Sequence, residues 1–265
     1  MHLHFTGGIG DELQVSTILR EWSRKHNAPI CAHVSQAQEL FEHNPYQQCD
    51  PAIETVQTLL PNKTPGVSSA QHLADQLNLG PLEHPTPSIY LQPSEIEGCW
   101  RDLLGKYEDQ ILVAFNVFGT FHSNTYPAGL WDVVVEQASA RGYKTVQIGN
   151  HSYRNRKGDQ PLLNVDIQLE GQTTLREVAT VLWHCNAYIG VDTGLFHIAA
   201  AVETPQVVLF RADGSRLNGY PSTIAVENTE PCDSRCHDRC ERPEPCISQI
   251  DPMRIVDAME EAVNK

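Results

Sequence analysis

The stretch "YIGVDTGLFHIAAA", residues 188–201, decides the fold. It begins as an apolar strand, turns through Asp192, Thr193 and Gly194, and continues as an alanine-rich helix that carries His197. A strand, a tight turn and a helix in this order predict one unit of a parallel sheet. The unpaired amides at the start of such a helix attract anions, so the turn predicts a phosphate site with His197 one turn away.

A second interpretation of this turn stays open. Asp192 and Thr193 are residue types that cap helices, and they need no ligand for that role. His197 would then be a buried histidine whose ring is hydrogen bonded within the core. The two interpretations differ in whether the turn faces a ligand or only the rest of the protein.

Strands and helices alternate on both sides of this stretch. After it, "PQVVLF" is a predicted strand, and "DPMRIVDAMEEAV" is a predicted helix with Asp251 as its N-cap and Pro252 at its first position. Before it, "QILVAFNVFGT" and "KTVQIG" are predicted strands. Helices are predicted over roughly residues 128–141 and within "TTLREVATVLWHCN".

The chain also opens with this alternation. "HLHF" predicts a strand, "TGGIGDELQVSTILREWSRKH" a glycine turn and a helix, and "APICAHV" the next strand. Two such series predict an α/β protein with parallel sheets. We place a domain boundary near residues 104–110, which divides the chain into an amino-terminal domain, residues 1–106, and a carboxyl-terminal domain, residues 107–265.

The composition is that of an ordinary globular protein. The 265 residues are 40% hydrophobic and 20% charged, with a formal net charge of −14, which disfavours nucleic acid and anionic membranes as partners. No apolar run is long enough for a transmembrane segment, and "MHLHFTGGIGDE" lacks the pattern of a signal peptide. A cytoplasmic location is therefore expected.

The opening glycine turn holds a candidate catalytic acid. In "TGGIGDELQ" three glycines precede Asp11 at a helix start, although the spacing does not match G-x-G-x-x-G. If two sheets face each other across a cleft, a carboxylate at the edge of the first can act as a general base on a ligand held by the second. The alternative is that Asp11 only interacts favourably with the helix dipole.

Three stretches together resemble a known family. They are "GGIGDELQVSTILREW", "ELFEHNPY" and "GQTTLREVATVLWHCNAYIGVDTGLFHIAAAVETPQVVLF". They resemble the opening Gly-Asp-x-Leu motif, the segment after the second strand and the carboxyl-terminal signature of the family-9 glycosyltransferases, the bacterial heptosyltransferases. The resemblance covers the start of the chain and everything from about Gln110 onward, and the order of its motifs makes it specific.

The resemblance implies a fold and a reaction. The fold would be GT-B, in which two Rossmann-like domains face each other across a cleft, here with a shortened amino-terminal domain on the acceptor side. The reaction would be an inverting transfer of a hexosyl, heptosyl or pentosyl group from a nucleoside-diphosphate sugar to an acceptor hydroxyl, without a metal ion. Glycans, glycolipids or other biomolecules are the expected acceptors. Asp11 would be the general base.

The resemblance also implies a donor site. Asp192, Thr193, Gly194 and His197 would contact the diphosphate, and Thr173 would lie near the nucleobase. Gly119 and Thr120 would form a turn on the phosphate side. The full expected donor-binding set is Gly10, Gly119, Thr120, Thr173, Asp192, Thr193, Gly194 and His197.

One departure from the family pattern affects this site. Where the family has a lysine that reaches the donor phosphates, this chain has Asn124, within "HSNTYP". A leaving diphosphate gathers negative charge, so the loss of this cation would cost transition-state stabilisation unless another group replaces it. The candidate replacements are His122, Arg154, Arg156, Lys157 and Arg211, of which Arg154, Arg156 and Lys157 are better explained as a solvated loop.

Cysteines are concentrated near the end of the chain. "CDSRCHDRCERPEPC" contains Cys232, Cys236, Cys240 and Cys246, whereas the other four cysteines are scattered. Four thiolates suit a structural zinc or iron ion, although the spacing is not that of a standard zinc knuckle. The alternative is that these thiols stay reduced and bind nothing.

Two other functions are compatible with the same motifs. The missing lysine and the shortened amino-terminal half are also expected in a non-catalytic nucleotide-binding or accessory protein of this fold. A nucleotide-sugar epimerase is a further alternative, since it would keep the fold and the donor and change the reaction.

Overall fold

The computed structural model of the chain describes residues 1–28, 30–52, 55–61, 67–119, 121–150, 163–211, 214–215, 219–228 and 244–265. The strands of this part are β1 His2–His4, β2 Cys31–His33, β3 Val56–Thr58, β4 Leu112–Asn116, β5 Lys144–Gln147, β6 Ile167–Gln168, β7 Ala187–Val191, β8 Gln206–Phe210 and β9 Thr223–Glu227. The helices are α1 Ile9–Leu13, α2 Val15–His26, α3 Ser69–Gln76, α4 Pro93–Cys99, α5 Ala128–Ala140, α6 Leu175–His184, α7 Gly194–Ala201 and α8 Pro252–Val263.

The strands form two parallel sheets, as the sequence predicts. The carboxyl-terminal sheet has the order β6-β5-β4-β7-β8-β9, and the amino-terminal sheet has the order β2-β1-β3. In the larger sheet the chain builds outward from β4 to one side and then returns to build from β7 on the other side. Such a reversal between neighbouring strands leaves a crevice at their carboxyl ends, where ligands bind in folds of this kind.

Helices cover both faces of the carboxyl-terminal sheet. One face carries a cluster of buried side chains that includes Trp131 of α5 and Met259 of α8. The opposite face belongs to a larger cluster that contains Phe196 of α7 and also Leu3 and Leu19 from the start of the chain. The hydrophobic core therefore runs continuously from the amino-terminal sheet to the carboxyl-terminal sheet.

The predicted final helix is confirmed in detail. The carboxylate of Asp251 accepts a hydrogen bond from the backbone N–H of Met253 and thereby caps α8, and Pro252 is its first residue. Ile255 and Met259 are fully buried, one turn apart on the face that packs against the sheet. None of the helices in the described ranges is long and apolar enough to cross a bilayer.

The predicted opening helix is broken in two. A helix ends at Leu13 and the next begins at Val15, with Gln14 between them as the cap of both. Ile18 and Leu19 are fully buried, as their spacing predicts, and Trp22 is half-buried. The break separates the short α1, which carries Asp11, from the longer α2.

A disulfide that the sequence did not predict joins Cys31 of β2 to Cys49 in a later loop. The two residues are 18 positions apart, and only the fold brings them together. Cys99, Cys185 and Cys246 are free and buried. Of the expected metal-binding cysteines, Cys232, Cys236 and Cys240 lie outside the described residues.

Candidate functional site

The crevice between β4 and β7 is organised by Asn116, the last residue of β4. Its side-chain oxygen accepts a hydrogen bond from the hydroxyl of Thr193 at 3.0 Å, and its amide nitrogen donates to the carbonyl of Ile148 at 3.3 Å. Asn116 therefore ties the turn after β7 and the end of β5 to the end of β4. The turn "DTG" of the deciding stretch lies at the carboxyl edge of the sheet, where the strand order reverses.

Asn124 fixes the same turn from the other side. Its amide nitrogen donates to the backbone carbonyl of Asp192 at 2.8 Å, and the residue is 5% exposed. A methyl group at Gly119 would lie 2.7 Å from the Cβ of Asn124, so the glycine allows this loop to pack tightly. At the position of the family's lysine, the chain therefore has a buried amide that tethers the turn.

The N-cap residue of α7 does not cap the helix with its side chain. Thr193 is the N-cap residue, but its hydroxyl makes no capping bond and donates to Asn116 instead. The capping alternative of the sequence analysis therefore does not describe Thr193. The first amides of α7 keep the positive end of the helix dipole directed at the crevice.

Gly194 lets α7 approach α1 closely. A methyl group on Gly194 would lie 2.9 Å from the Cβ of Ile9 and 3.4 Å from the backbone nitrogen of Gly10. A methyl group on Gly10 would lie 2.8 Å from Nε2 of His197. The two glycines thus bring the start of α1 against the start of α7, which places Asp11 beside the turn at Asp192.

His197 belongs to a buried polar cluster that joins the two halves of the chain. Its Nδ1 lies 3.2 Å from the amide nitrogen of Gln14 and 2.5 Å from the hydroxyl oxygen of Tyr220. The Gln14 amide also donates to the Tyr220 hydroxyl. Since an amide nitrogen only donates, Nδ1 is the accepting nitrogen and Nε2 carries the proton.

The ring of His197 is neutral at physiological pH. The side chain is 9% exposed, and burial lowers its pKa to about 4. Its Nδ1 is hydrogen bonded within the protein. For this nitrogen the geometry agrees with the second interpretation of His197, a buried histidine hydrogen bonded within the core.

Two neighbouring carboxylates in α1 have opposite electrostatic environments. Burial raises the pKa of Asp11, and the charge of Glu12 adds to this effect, against hydrogen bonds from Gly8 and Ser69. Asp11 nevertheless keeps contact with solvent. A carboxyl group with a raised pKa that still meets solvent is suited to accept a proton.

Glu12 is fully buried and is held by several donors. Burial would raise its pKa, but the Ser35 hydroxyl and the backbone amides of Gln36, Ala37 and Ser35 outweigh this effect, so the pKa is lowered. The amides of Gln36 and Ala37 donate to it at 2.7 Å and 2.8 Å. Glu12 therefore fixes α1 to the loop after β2, and its structural role contrasts with the solvent contact of Asp11.

Tyr220 is hydrogen bonded to Gln14 at the end of α1 and to His197 of α7. The residue is 7% exposed, and burial raises the pKa of its hydroxyl. The negative charges of Asp192 and Asp11 raise the pKa of this hydroxyl further, because both carboxylates lie within electrostatic range of it. The structure therefore brings the candidate base and the candidate phosphate turn to one place.

Thr173 and Thr120 complete the predicted donor set. Thr173 immediately precedes Thr174, the N-cap of α6, and its hydroxyl is buried without a hydrogen-bond partner in the structure. A buried hydroxyl without a partner is uncommon and leaves a donor and an acceptor open to a ligand. Thr120 lies outside the described residues, as do Arg154, Arg156 and Lys157.

Arg176 is a further residue of this region that sequence reasoning missed. It lies in α6, is 7% exposed, and its guanidinium pairs with Glu95 of α4 at 2.9 Å and donates to the carbonyl of Tyr90 at 2.7 Å. Its hydrogen bonds lower the pKa of Glu95. Arg176 thus connects the helix next to the site with the segments that precede residue 106. Of the missed residues only Asn116 had a signal, a polar residue at the end of an apolar strand.

A recess of about 550 Å³ lies elsewhere, against α2. Its lining includes Arg20, Tyr46 and His84, and none of the predicted site residues contributes to it. The candidate site is therefore defined by converging polar groups at the sheet edge and is separate from this recess.

Comparison with known proteins identifies relatives of this arrangement. Residues 16–242 match the sequence profile of Glycosyltransferase family 9 (heptosyltransferase). Lipopolysaccharide heptosyltransferase 3 of Escherichia coli is 33% identical over 96 residues, which are 31% of this chain and 27% of that protein. The match thus spans about a quarter of the length of this curated relative.

Solved structures share the fold. A family 9 glycosyltransferase from Veillonella parvula DSM 2008 superposes with a TM-score of 0.79 at 16% identity, covering 99% of this chain and 97% of that one. The E. coli ADP-heptose lipopolysaccharide heptosyltransferase II gives 0.65 at 13% identity, covering 100% and 99%. The iron-containing dodecameric glycosyltransferase TibC of enterotoxigenic E. coli H10407 gives 0.73 at 17% identity, covering 99% and 76%. The predicted GT-B fold is confirmed.

Proposed function

Because this chain belongs to glycosyltransferase family 9, we propose that it is an inverting glycosyltransferase that moves a sugar from a nucleoside diphosphate to an acceptor hydroxyl. The observation that carries the proposal is the close packing of α1 against α7, where a methyl group on Gly194 would lie 2.9 Å from the Cβ of Ile9, so that Asp11 lies beside the turn at Asp192. An inverting transfer needs a base on one side of the sugar and a site for the leaving diphosphate on the other.

Asp11 is the proposed general base. The acceptor oxygen forms a bond to the anomeric carbon while the bond from that carbon to the diphosphate oxygen breaks. The proton of the acceptor hydroxyl goes to Asp11, and the electron pair of the broken bond stays on the nucleoside diphosphate. Burial raises the pKa of Asp11, which makes its carboxylate a better proton acceptor than an ordinary aspartate.

The start of α7 is the proposed diphosphate site. Its N-cap residue Thr193 makes no capping bond with its side chain, and the turn from Asp192 to Gly194 is held in place by Asn116 and Asn124. Amides fixed in this way stabilise a developing anion without having to reorganise. The helix dipole supplies part of the positive field that a lysine provides elsewhere in the family, which accounts for a neutral Asn124 at that position.

ADP-heptose is the proposed first donor, and a glycan or glycolipid hydroxyl is the proposed acceptor class. The proposal is supported by relatives whose descriptions name ADP-heptose, including heptosyltransferase II and a TibC complex. The curated relative acts on lipopolysaccharide. Within this proposal residues 1–106 form the acceptor side and residues 107–265 the donor side.

The expected zinc or iron site at Cys232, Cys236, Cys240 and Cys246 stays a prediction. Cys246 is the one of the four that the described residues include, and it is buried. The description of TibC as iron-containing supports the expectation. The cytoplasmic location likewise stays a prediction.

A donor screen followed by a transfer assay tests the proposal. ADP-, UDP-, GDP- and CDP-linked sugars are added in turn, and a true donor raises the melting temperature in proportion to the logarithm of its concentration over Kd. Asp192→Ala should weaken this stabilisation, whereas Asp257→Ala should leave it unchanged. Asp257 is exposed on α8, so this substitution removes the same charge from the opposite side of the sheet.

Product analysis then separates the alternatives. Release of nucleoside diphosphate together with an inverted glycoside supports the proposal. An epimerised nucleotide sugar would assign the chain to the epimerases, and tight nucleotide binding without turnover would make it a non-catalytic nucleotide-binding protein. Failure of all four nucleotide sugars to bind would contradict the proposed site itself.

A further inference from the structure

Four side chains of the types that commonly bind metals lie on one face of the amino-terminal sheet. In β1, "HLH", His2 and His4 alternate with Leu3, and in β2, "CAH", Cys31 and His33 flank Ala32. Alternate residues of a strand point to opposite faces of a sheet. Leu3 and Ala32 are buried, at 0% and 1% exposed, so both strands direct their apolar residue into the core and their histidines and cysteine away from it.

The strand register brings these side chains together. β1 and β2 are parallel, with His2 opposite Cys31 and His4 opposite His33. The Nδ1 of His2 lies 2.8 Å from the Nε2 of His33, and the Sγ of Cys31 lies 3.3 Å from the same Nε2. One ligand atom each from His2, Cys31 and His33 all lie within 4.8 Å of one another.

Hydrogen bonding orients His2 for coordination. Its Nε2 lies 3.0 Å from the backbone carbonyl of Asp50, which can only accept, so Nε2 carries the proton. The lone pair of Nδ1 therefore points toward His33 and Cys31. A ring N–H donated to a backbone carbonyl is the usual way in which proteins orient a metal-binding histidine.

Cys49 places a second sulfur next to that of Cys31. It is joined to Cys31 by the disulfide, and it is solvent-exposed. Backbone hydrogen bonds also fix the loop before Cys49 to Ile30. The N–H of Gln48 donates to the carbonyl of Ile30 at 3.2 Å, and Ile30 pairs with Gln47 in a parallel bridge. Cleavage of the disulfide would therefore leave the Cys49 thiol next to Cys31.

We propose that the reduced form of this cluster is a zinc site, with the Nδ1 of His2, the Nε2 of His33 and the Sγ atoms of Cys31 and Cys49 as ligands. Two nitrogens and two sulfurs are a common ligand set of structural zinc, with Zn–N bonds of about 2.0–2.1 Å and Zn–S bonds of about 2.3 Å. Ligand atoms of such a tetrahedron lie roughly 3.3–3.8 Å apart. The observed 2.8 Å and 3.3 Å separations among His2, His33 and Cys31 need only a small opening to reach this geometry, and the two sulfurs have to move apart once the disulfide is reduced.

The oxidised and metal-bound forms exclude each other because they use the same sulfurs. A dithiol reductant would transfer two electrons to the disulfide, which gives two Cys thiols while the dithiol becomes a disulfide. Zn²⁺ then displaces one proton from each thiol and accepts the imidazole lone pairs, with the His33 proton moving from Nε2 to Nδ1. Magnesium and calcium are disfavoured, since both prefer oxygen ligands.

A cobalt titration of the full chain tests the proposal. Cys232→Ser, Cys236→Ser and Cys240→Ser are combined as a background, so that the carboxyl-terminal cysteines cannot provide a competing four-thiolate site. The reduced background protein should bind one equivalent of Co²⁺ with a thiolate-to-cobalt charge-transfer band and tetrahedral d–d bands, and Zn²⁺ should displace it. The oxidised protein should bind neither metal at the same concentrations.

Variants in the background identify the ligands. His2→Ala, His33→Ala and Cys49→Ser should each weaken Co²⁺ binding by more than about 100-fold, because even outer partners of a metal site are worth 10–100-fold. His4→Ala is the matched control: His4 is an exposed histidine on the same strand and face but outside the ligand set, so affinity should stay within about threefold of the background.

Alkylation provides a readout that does not depend on folding of the variants. Zn²⁺ should protect Cys31 and Cys49 of the reduced chain from iodoacetamide, as measured by mass spectrometry, and His33→Gln should abolish that protection. Absence of metal binding by the reduced background protein would overturn the proposal. Unchanged affinity in His33→Ala or Cys49→Ser, or equal binding by the oxidised chain, would overturn it as well.

Discussion

The two sheets of this protein differ in how far each is stabilised by its own buried residues. In the carboxyl-terminal sheet every residue of β4, β7 and β8 is buried, with helices on both faces. The strands of the amino-terminal sheet have three residues each, and its outer face carries exposed or half-buried histidines. A sheet this small buries little apolar area of its own and depends on packing against a neighbour.

The two sheets therefore contribute to the candidate site in different ways. The large sheet holds the turn at Asp192 in place through side chains at its own edge, Asn116 and Asn124. The small sheet positions Asp11, but α1 is fixed partly by contacts with the other half, through His197 and Tyr220. In the proposed enzyme, the anion site thus belongs to the rigid half, and the position of the base depends on the contact between the halves.

The sharpest test of this difference compares the two acids of α1. Asp11→Asn should lower kcat by about 10²–10⁴-fold and leave the unfolding free energy unchanged, since general base catalysis contributes that much. Glu12→Gln should instead destabilise the fold by about 1–3 kcal/mol, because a buried amide faces the donors of Ser35, Gln36 and Ala37. Steady-state kinetics and urea unfolding of both variants measure the contrast. Full turnover by Asp11→Asn would remove the proposed base.

The dependence of the small half on its neighbour predicts the next effect. Arg176→Met should lower the unfolding free energy by about 3 kcal/mol, because it leaves Glu95 and the Tyr90 carbonyl without their partner. Hydrogen exchange should increase more in residues 1–104 than in the large sheet. Arg101→Met is the control, since its pair with Asp102 is exposed and its loss should leave the unfolding free energy nearly unchanged. Equal losses in the two variants would show that the halves are not coupled through Arg176.

A smaller effect comes from the ring of His197. Because its pKa is about 4 in the folded chain and ordinary in the unfolded chain, the unfolded chain binds this proton first as the pH falls. The contribution to stability is complete above about pH 6.5 and is lost progressively toward pH 4. Between pH 7 and pH 5 the wild type should lose about 2 kcal/mol more than His197→Gln in urea unfolding. Identical slopes would mean that the ring is solvated.

The contact between α1 and α7 predicts an effect of similar size. Gly194→Ala places a methyl group 2.9 Å from the Cβ of Ile9, and overpacking of this kind costs about 1–3 kcal/mol. Ile9→Ala in the same chain should recover part of the loss. Gly129→Ala is the control: it lies in α5, nothing surrounds its side-chain position within 4 Å, and it should stabilise by up to about 1 kcal/mol. Thermal melts of the four proteins decide whether the helices touch as described.

The large sheet was far more predictable from the sequence than the small one. β7 was predicted as the apolar strand that opens the stretch at residues 188–201, because a run of buried apolar residues between turns has few alternatives. β3 and β6 were missed since they are short and carry no apolar pattern, and β9, at the opposite edge of the larger sheet from β6, was missed as well. Local pattern is informative only where a strand is long enough to display it.

The candidate site could likewise be predicted only where local sequence patterns define it. The turn at Asp192 and the acid Asp11 were found because each lies in a local motif. The contact of His197 with Gln14 joins residues 183 positions apart, and the disulfide of Cys31 depends on how a loop folds back. Whether Gly194 faces a ligand or α1 is likewise decided by packing between distant segments. These relations follow from the tertiary fold, which no spacing rule contains.

The first residue of the chain has a practical consequence for work on this protein. The carbonyl of Met1 accepts a hydrogen bond from the N–H of Cys31, so the backbone is already part of the sheet there. Whatever is joined ahead of Met1 in a recombinant polypeptide emerges beside His2 and His33. A polyhistidine purification handle at that end would offer rival imidazoles within reach, whereas one attached after α8 would begin from the far side of the larger sheet.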